Sequence, residues 1–131
     1  MLIIFFELSC RCGLCDGHND LPWTMRCQNV DGQGGNCPRL NSWDFTKNHK
    51  GVQYVGMRQN LHTDIPRLRE GGVGWQFWSV YVPTRVAGAM AVQHTLEQID
   101  FVKRLCAKHS EHLQMCMSAE DIERTMASGK I

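Results

Sequence analysis

The sequence predicts an α/β protein with a parallel sheet. Residues 73–82 (VGWQFWSVYV) carry aromatic and β-branched side chains on both alternating faces, which is typical of a strand covered on both sides. A segment of roughly 20 residues with helical spacing of apolar positions follows this strand. With 131 residues and 43% hydrophobic content, the chain can bury a modest core. A strand followed by an amphipathic helix indicates right-handed crossover units.

The first residues form a short apolar run. Residues 2–6 are rich in β-forming side chains and have the usual length of a buried strand. The alternative is a degenerate signal remnant, but a basic segment is lacking, Glu7 comes early, and the run is far shorter than the roughly 20 residues that span a bilayer. We therefore predict a strand here.

The sequence changes from loop to helix between residues 27 and 72. Residues 27–57 are polar and rich in turn-forming residues, which predicts an irregular loop region. Thr63 or Asp64 is expected to cap a short helix that has Pro66 in its first turn and ends at residues 71–72, which are both glycine.

The long helix after the strand is predicted from an apolar stripe. Its positions are Val92, Leu96, Ile99, Val102, Leu105 and Leu113. Three histidines, His94, His109 and His112, fall on or near the opposite polar side, so we expect them to face solvent.

The end of the chain contains signals for one more short helix. Ser118 and Asp121 have the spacing of a capping box, and Gly129 stands where a left-handed residue would end the helix. Ile131 is a candidate first residue of another strand.

Charge argues against a nucleic-acid partner. Fourteen Lys and Arg against thirteen Asp and Glu leave a formal charge of +1. The densest basic cluster, Arg58, Arg67 and Arg69, is diluted by Asp64 and Glu70. We expect no nucleic-acid binding.

One histidine and one carboxylate are candidate metal ligands. His18 and Asp20 are two positions apart, so at the end of a strand both side chains would point to the same side and reach one metal ion. The spacing itself is weak evidence, because His62 and Asp64 have it too. The alternative is a polar turn in which Asp16 and Asp20 accept hydrogen bonds from backbone donors.

The seven cysteines permit a second kind of metal site. A structural zinc site would draw its four ligands from Cys10, Cys12, Cys15, Cys27 and Cys37, or from a cysteine pair with His18. The second half of that set is badly spaced for zinc. Cys106, beside Leu105, is interpreted as a small buried apolar residue.

The aromatic residues have two interpretations. Trp23, Trp75, Phe77, Trp78 and Tyr81 would either line a ligand site or belong to the core, and the core is the commoner place for aromatics in such a strand. A Gly-rich phosphate loop, a nucleophile elbow and a zincin helix are all lacking.

Three separated segments resemble the membrane (renal) dipeptidase family in order and approximate spacing. They are residues 16–23 (DGHNDLPW), residues 63–69 (TDIPRLR) leading into 73–83, and residues 95–100 (TLEQID). The resemblance covers roughly residues 16–26 and 58–131.

This resemblance implies an amidohydrolase-like (β/α)8 barrel that hydrolyses dipeptides with two zinc ions at the carboxyl ends of its strands. It implies that His18 and Asp20 bind one zinc ion and that Trp23 lies beside the substrate. It also implies a homodimer and attachment to the outer cell surface by a GPI lipid anchor.

In the family, the glutamate that bridges the two ions and the histidines of the second ion correspond to positions beyond Ile131. We therefore expect the chain to be a truncated and inactive portion of the enzyme that carries the first two strand-helix units and no catalytic residue of its own. One alternative is a non-catalytic interaction module that pairs with a full-length subunit through exposed strand edges. Another is a small cysteine-rich zinc-binding protein.

Overall fold

The computed structural model describes residues 13–25, 43–52 and 61–131. The predicted strand at residues 2–6 lies outside the described residues, as does most of the loop region 27–57. Residues 43–52 of that region form turns. The elements in chain order are β1 Leu14–Asn19, α1 Leu21–Met25, α2 Ile65–Glu70, β2 Val73–Trp78, α3 Gly88–Lys108 and α4 Ala119–Ala127.

The strands β1 and β2 pair in parallel, which confirms a mixed α/β protein with a parallel sheet. Leu14 lies opposite Val73, and Asn19 lies opposite Trp78. The Ser79 backbone N–H donates to the Asn19 carbonyl at 2.9 Å, which closes the pairing. The carboxyl ends of both strands therefore meet at one edge of the sheet.

The strand β2 is shorter and less covered than its sequence predicts. It ends at Trp78, so the prediction that residues 79–82 continue the strand is wrong. The partner strand β1 ends at Asn19, opposite Trp78, and has no further strand residues to pair with β2. The prediction that both faces of this strand are buried is also wrong, because Phe77 is 56% exposed.

The helix α2 begins and ends as predicted. Asp64 is its N-cap and accepts a hydrogen bond from the Arg67 backbone N–H at 2.9 Å, and Pro66 lies in its first turn. Gly71 is the C-cap, and Gly72 follows with φ of 68°. Both ends are determined by local chemistry.

The helix α3 begins before the predicted stripe and ends at Lys108, so the prediction that Leu113 belongs to it is wrong, and its N-terminal half buries a different face. Val92 and Leu96 are 61% and 59% exposed, whereas His94 is 2% exposed. Gln98 is fully buried, and its side-chain NH2 donates to the carbonyls of Tyr81 at 3.0 Å and His94 at 3.1 Å, which offsets the burial of that group. The predicted apolar stripe is therefore wrong at its start.

Two of the three histidines predicted to face solvent are buried. His94 packs edge-on against Trp23 of α1, with ring centroids 6.0 Å apart. His109 is 7% exposed and lies edge-on to Phe45 at 5.9 Å. Both predictions fail because segments distant in sequence cover these positions; His112 is partly exposed.

The capping box of α4 is confirmed. The Ser118 hydroxyl accepts from the Asp121 backbone N–H, and the Asp121 carboxylate accepts from the Ser118 N–H. Gly129 follows with φ of 74°. Ile131 belongs to no strand of the described residues, but its N–H donates to the His112 carbonyl at 2.9 Å.

The core lies between α1, the 43–52 segment and the inner face of α3. Phe45 and Leu105 are its most buried apolar side chains, each 1% exposed. The Lys108 ammonium donates to the Trp43 carbonyl at 2.7 Å and ties the segment to the end of α3. The other members are Leu21, Met25, Trp43, Leu61, Ile65, Phe101, Val102 and Leu113.

Candidate metal site

The side chains of His18 and Asp20 meet at the carboxyl end of β1. His18 Nε2 lies 3.1 Å from Asp20 Oδ1, and the two side chains are 65% and 51% exposed. Two atoms that each bind a tetrahedral zinc ion at its usual bond length are roughly 3.3 Å apart. The donor types, their separation and their exposure therefore fit two positions in the coordination sphere of one zinc ion.

Asn19 holds the backbone between these two residues. Its side-chain amide donates to Thr63 Oγ1 at 2.9 Å and to Gln76 Oε1 at 3.3 Å, and its Oδ1 accepts from the Leu21 N–H at 3.0 Å. Successive side chains of a strand point to opposite faces, so anchoring Asn19 inward leaves its two neighbours directed outward. Sequence reasoning missed Asn19, although its position between the two candidate ligands was a signal.

Asp16 also contacts the backbone beside His18. Its carboxylate accepts from the His18 backbone N–H at 3.2 Å. Asp16 thus accepts a backbone hydrogen bond as the alternative expected, but it lies in the strand β1 and not in a turn, and the Asp20 carboxylate faces the His18 ring.

The second His-x-Asp pair has a structural role. The Asp64 side chain is fully buried and accepts hydrogen bonds from the His49 N–H at 2.7 Å and from Arg67 Nε at 2.7 Å. Burial acts to raise the pKa of Asp64, but these donors and the Arg67 charge outweigh it and hold the pKa below its ordinary value. This carboxylate already has its partners, while His62 is exposed.

Trp23 lies on α1, just after Asp20. Its ring is partly buried and makes an edge contact with His94, with an interplanar angle of 62°. The helix α1 packs against α3, which orients the indole.

Within the described ranges 13–25, 43–52 and 61–131, no third His, Cys, Asp or Glu joins His18 and Asp20 in a group suited to metal binding. Cys10, Cys12, Cys27 and Cys37 of the alternative thiolate site lie outside these ranges. Cys15 is exposed and forms no disulfide with another cysteine of the described ranges.

The aromatic residues of β2 border a cavity of about 470 Å³ instead of filling a core. Trp75 and Phe77 lie edge to face with centroids 5.3 Å apart. Only Trp78 packs against the core, and Tyr81 is 51% exposed. The expectation that these side chains are buried is therefore wrong for Phe77 and Tyr81.

A parallel strand that ends in an exposed histidine-aspartate pair is the arrangement of a candidate metal-dependent enzyme of the α/β class. The sequence model of the membrane dipeptidase family (peptidase family M19) matches residues 6–131, and the chain belongs to this family. It is a family of metallopeptidases, which are hydrolytic enzymes.

Individual relatives agree with this assignment. The chain is 35% identical to dipeptidase ataJ of Aspergillus terreus (strain NIH 2624 / FGSC A1156) over 133 aligned positions, which cover 95% of the chain and 28% of that protein. It is 38% identical to dipeptidase 3 of Macaca fascicularis and 36% identical to dipeptidase 3 of Mus musculus. These alignments cover 83% and 86% of the chain, and 19% of each of those two proteins. The chain thus spans less than a third of the length of these relatives.

Within the described residues, no helix has both the length and the apolar character needed to cross a membrane.

Proposed function

We propose that this chain supplies the first metal ligands of a zinc-dependent dipeptide hydrolase built on a (β/α)8 barrel. The observation that carries the proposal is the pairing of His18 with Asp20 at the carboxyl end of a parallel strand, with 3.1 Å between their ligand atoms. The carboxyl ends of strands are where barrel enzymes place their active sites. The family match supports the reaction class.

The chemistry of the two residues suits this role. Bound zinc supplies an activated water near neutral pH and polarises a peptide carbonyl. His18 would bind the ion through Nε2, the atom that faces Asp20, and Asp20 would contribute a negative charge. Asn19 keeps both side chains on the solvent side of the sheet through its bonds to Thr63 and Gln76. These bonds orient the ligands before any ion arrives.

We assign Trp23 to the substrate side of the site. An indole presents a rigid apolar surface that excludes water from a bound dipeptide. Its contact with His94 sets the orientation of that surface. This assignment is supported by the family motif at residues 16–23 and by the place of Trp23 on the helix that follows β1.

Calorimetric titration of the purified chain with zinc tests the ligand assignment. His18→Ala and Asp20→Ala should each weaken zinc binding by at least about tenfold, since each removes one of two ligands. His62→Ala is the matched control, because His62 is also exposed and followed by an aspartate two positions later. Equal effects of His18→Ala and His62→Ala would refute the assignment.

A second assay tests whether the chain is inactive by itself, as we propose. Dipeptide hydrolysis is measured with added zinc for the wild-type chain and for His18→Ala. We expect no turnover from either, because the two ligands found among the described residues do not complete the three-ligand-plus-water site of a catalytic zinc ion. Turnover that disappears in His18→Ala would show that the chain is active and overturn this part of the proposal.

For the whole protein we propose the remaining features that the family resemblance implies, namely a homodimer held at the outer cell surface by a GPI lipid anchor. Release of the full-length protein from cells by a phospholipase that cleaves such anchors would support this placement. Retention on the cells after that treatment would contradict it.

A further inference from the structure

The cavity of about 470 Å³ beside β2 lies outside the candidate metal site. One of its walls is formed by the aromatic residues Trp75, Phe77 and Trp78 of that strand. Its lining includes neither His18 nor Asp20. The volume falls within the range of roughly 300 to 1,000 Å³ in which proteins bind small molecules. The cavity is therefore large enough to be a ligand site of its own.

A second wall of the cavity is a stripe of α3. Ile99, Val102 and Cys106 all line the cavity and are spaced so that they share one side of the helix. Val102 belongs to the hydrophobic core, which anchors this wall. Residues 113–117 and Ile122 of α4 also line the cavity. Most of the lining is thus apolar, and it comes from several elements of the fold.

Lys103 is the one charged side chain among the described residues that line the cavity. It follows Ile99 by one helical turn and is exposed. Such a lysine covers apolar surface with its methylene chain and keeps its ammonium in water, so the charge lies at the mouth of the cavity. Arg104, the next residue, pairs with Asp100 at 2.7 Å, whereas Lys103 has no ion pair with any described residue. The cavity therefore combines an apolar interior with one uncompensated positive charge.

We propose that this cavity binds a small, flat aromatic carboxylate, with its ring system between β2 and α3 and its carboxylate at the Lys103 ammonium. Trp75 and Phe77 already meet edge to face at 5.3 Å, and a ligand ring can extend this contact in a way that an alkyl chain cannot. A rigid ring also loses less conformational freedom on binding than a flexible chain. The positive charge favours an acid over a neutral or cationic molecule of the same shape.

The two parts of such a ligand contribute differently to binding. Transfer of the ring from water to the cavity supplies most of the affinity, because burial of apolar surface is favourable without any directional contact. The ion pair at the mouth stays partly hydrated, so we expect it to change the affinity by only about three- to fivefold. The carboxylate therefore contributes more to selectivity than to strength. This proposal does not depend on the proposed function, because the metal ligands take no part in it.

An NMR titration of the isotope-labelled chain with naphthoate, in metal-free buffer, tests the proposal. The chain has four tryptophans. The indole N–H signals of Trp75 and Trp78 should shift and saturate, whereas those of Trp23 and Trp43, which do not line the cavity, should stay in place. Naphthamide, the neutral analogue, should bind about three- to fivefold more weakly than naphthoate, and the cation naphthylmethylammonium more weakly still.

Two substitutions separate the charge from the aromatic wall. Lys103→Gln should lower the affinity for naphthoate to that for naphthamide and leave the binding of naphthamide unchanged. Arg104→Gln is the matched control, because it removes the same charge from the adjacent exposed position, which does not line the cavity. Phe77→Ala alters a side chain that is 56% exposed and should weaken the binding of both ligands by about threefold.

The proposal is overturned if naphthoate causes no saturable shift at Trp75 and Trp78, or if all four indole signals shift alike. Equal affinity for naphthoate and naphthamide, or equal effects of Lys103→Gln and Arg104→Gln, would refute the role of the charge. Decanoate that binds as tightly as naphthoate would refute the choice of an aromatic ligand. A dimer in sedimentation that does not bind naphthoate would show that a second copy covers the cavity instead. The titrations of the wild-type chain decide the question even if a variant does not fold.

Discussion

Replacing Asp64 with alanine should strongly destabilise the fold. The carboxylate of Asp64 receives the backbone N–H groups of Arg67 and His49 and the Arg67 guanidinium, at distances of 2.7 to 2.9 Å. Its side chain has no exposed surface, and that of Arg67 is 20% exposed. One side chain therefore caps α2, neutralises a largely buried charge and holds the 43–52 segment.

The magnitude follows from the first two of these roles. Loss of an N-cap costs about 1 kcal/mol. Removal of one partner from a buried ion pair costs about 3 kcal/mol or more, because the other charge is left without compensation. Since these costs overlap, we expect Asp64→Ala to lower the free energy of unfolding by about 3 to 4 kcal/mol. Asp64→Asn keeps the oxygen that caps α2 but leaves the Arg67 charge uncompensated, so it should cost about 3 kcal/mol, less than Asp64→Ala by no more than the cap contribution.

Urea unfolding followed by circular dichroism measures both variants. A loss below about 1 kcal/mol for Asp64→Ala would refute the reasoning. Equal losses for the alanine and asparagine variants would show that the cap contributes nothing. The pKa of Asp64 is lower in the folded than in the unfolded state. The contribution of the ionised carboxylate to stability is therefore complete above the unfolded-state pKa of about 3.9 and is lost as pH falls through the folded-state pKa. Asp64→Asn should therefore lose less stability than wild type over that acidic range.

Three further changes test separate features. Burial chiefly lowers the pKa of His109, so the neutral ring is favoured in the folded state. The free energy of unfolding of wild type should therefore fall more than that of His109→Phe as pH falls through about 6.5. Equal decreases in the urea midpoints of the two proteins would contradict this. Ser118→Ala removes the capping box of α4 and should cost about 1 kcal/mol in urea unfolding, whereas the exposed turn residue Ser110 should tolerate alanine. Gly13 has φ of 65°, and a Cβ there would lie 2.5 Å from a backbone carbon of β2. Gly13→Ala should therefore cost at least about 2 kcal/mol, while Gly17→Ala, with open space around it, should be nearly neutral; similar unfolding midpoints would disprove the close approach.

The features that depend on local chemistry were predictable from the sequence. Asp64 and Gly71 bound α2, and Ser118 and Asp121 cap α4, because capping joins a side chain to backbone groups only a few residues away. The parallel pairing of β1 and β2 fits the long connection between them, residues 20–72, since parallel strands need a crossover of a dozen or more residues.

The candidate site shows where sequence reasoning ends. His18-x-Asp20 and His62-x-Asp64 have the same spacing. In the sequence, only the family resemblance marks the first pair, and not the second, as metal ligands. In the structure, Asp64 is fully buried and bound to Arg67, whereas Asp20 is exposed and faces His18. The spacing of two residues specifies whether their side chains point to the same side. Hydrogen-bond and ion-pair partners from other segments decide whether a carboxylate is available to bind a metal ion.

The sequence by itself determined the family, the α/β class and the ends of α2 and α4, and it suggested the two candidate ligands. Only the tertiary structure decided that Val92 and Leu96 are exposed while His94 and Gln98 are buried. The physical reason is that polar side chains can be buried when other parts of the chain supply hydrogen bonds and ring contacts, as Tyr81 does for Gln98 and Trp23 does for His94. Periodicity along one helix contains no information about those partners.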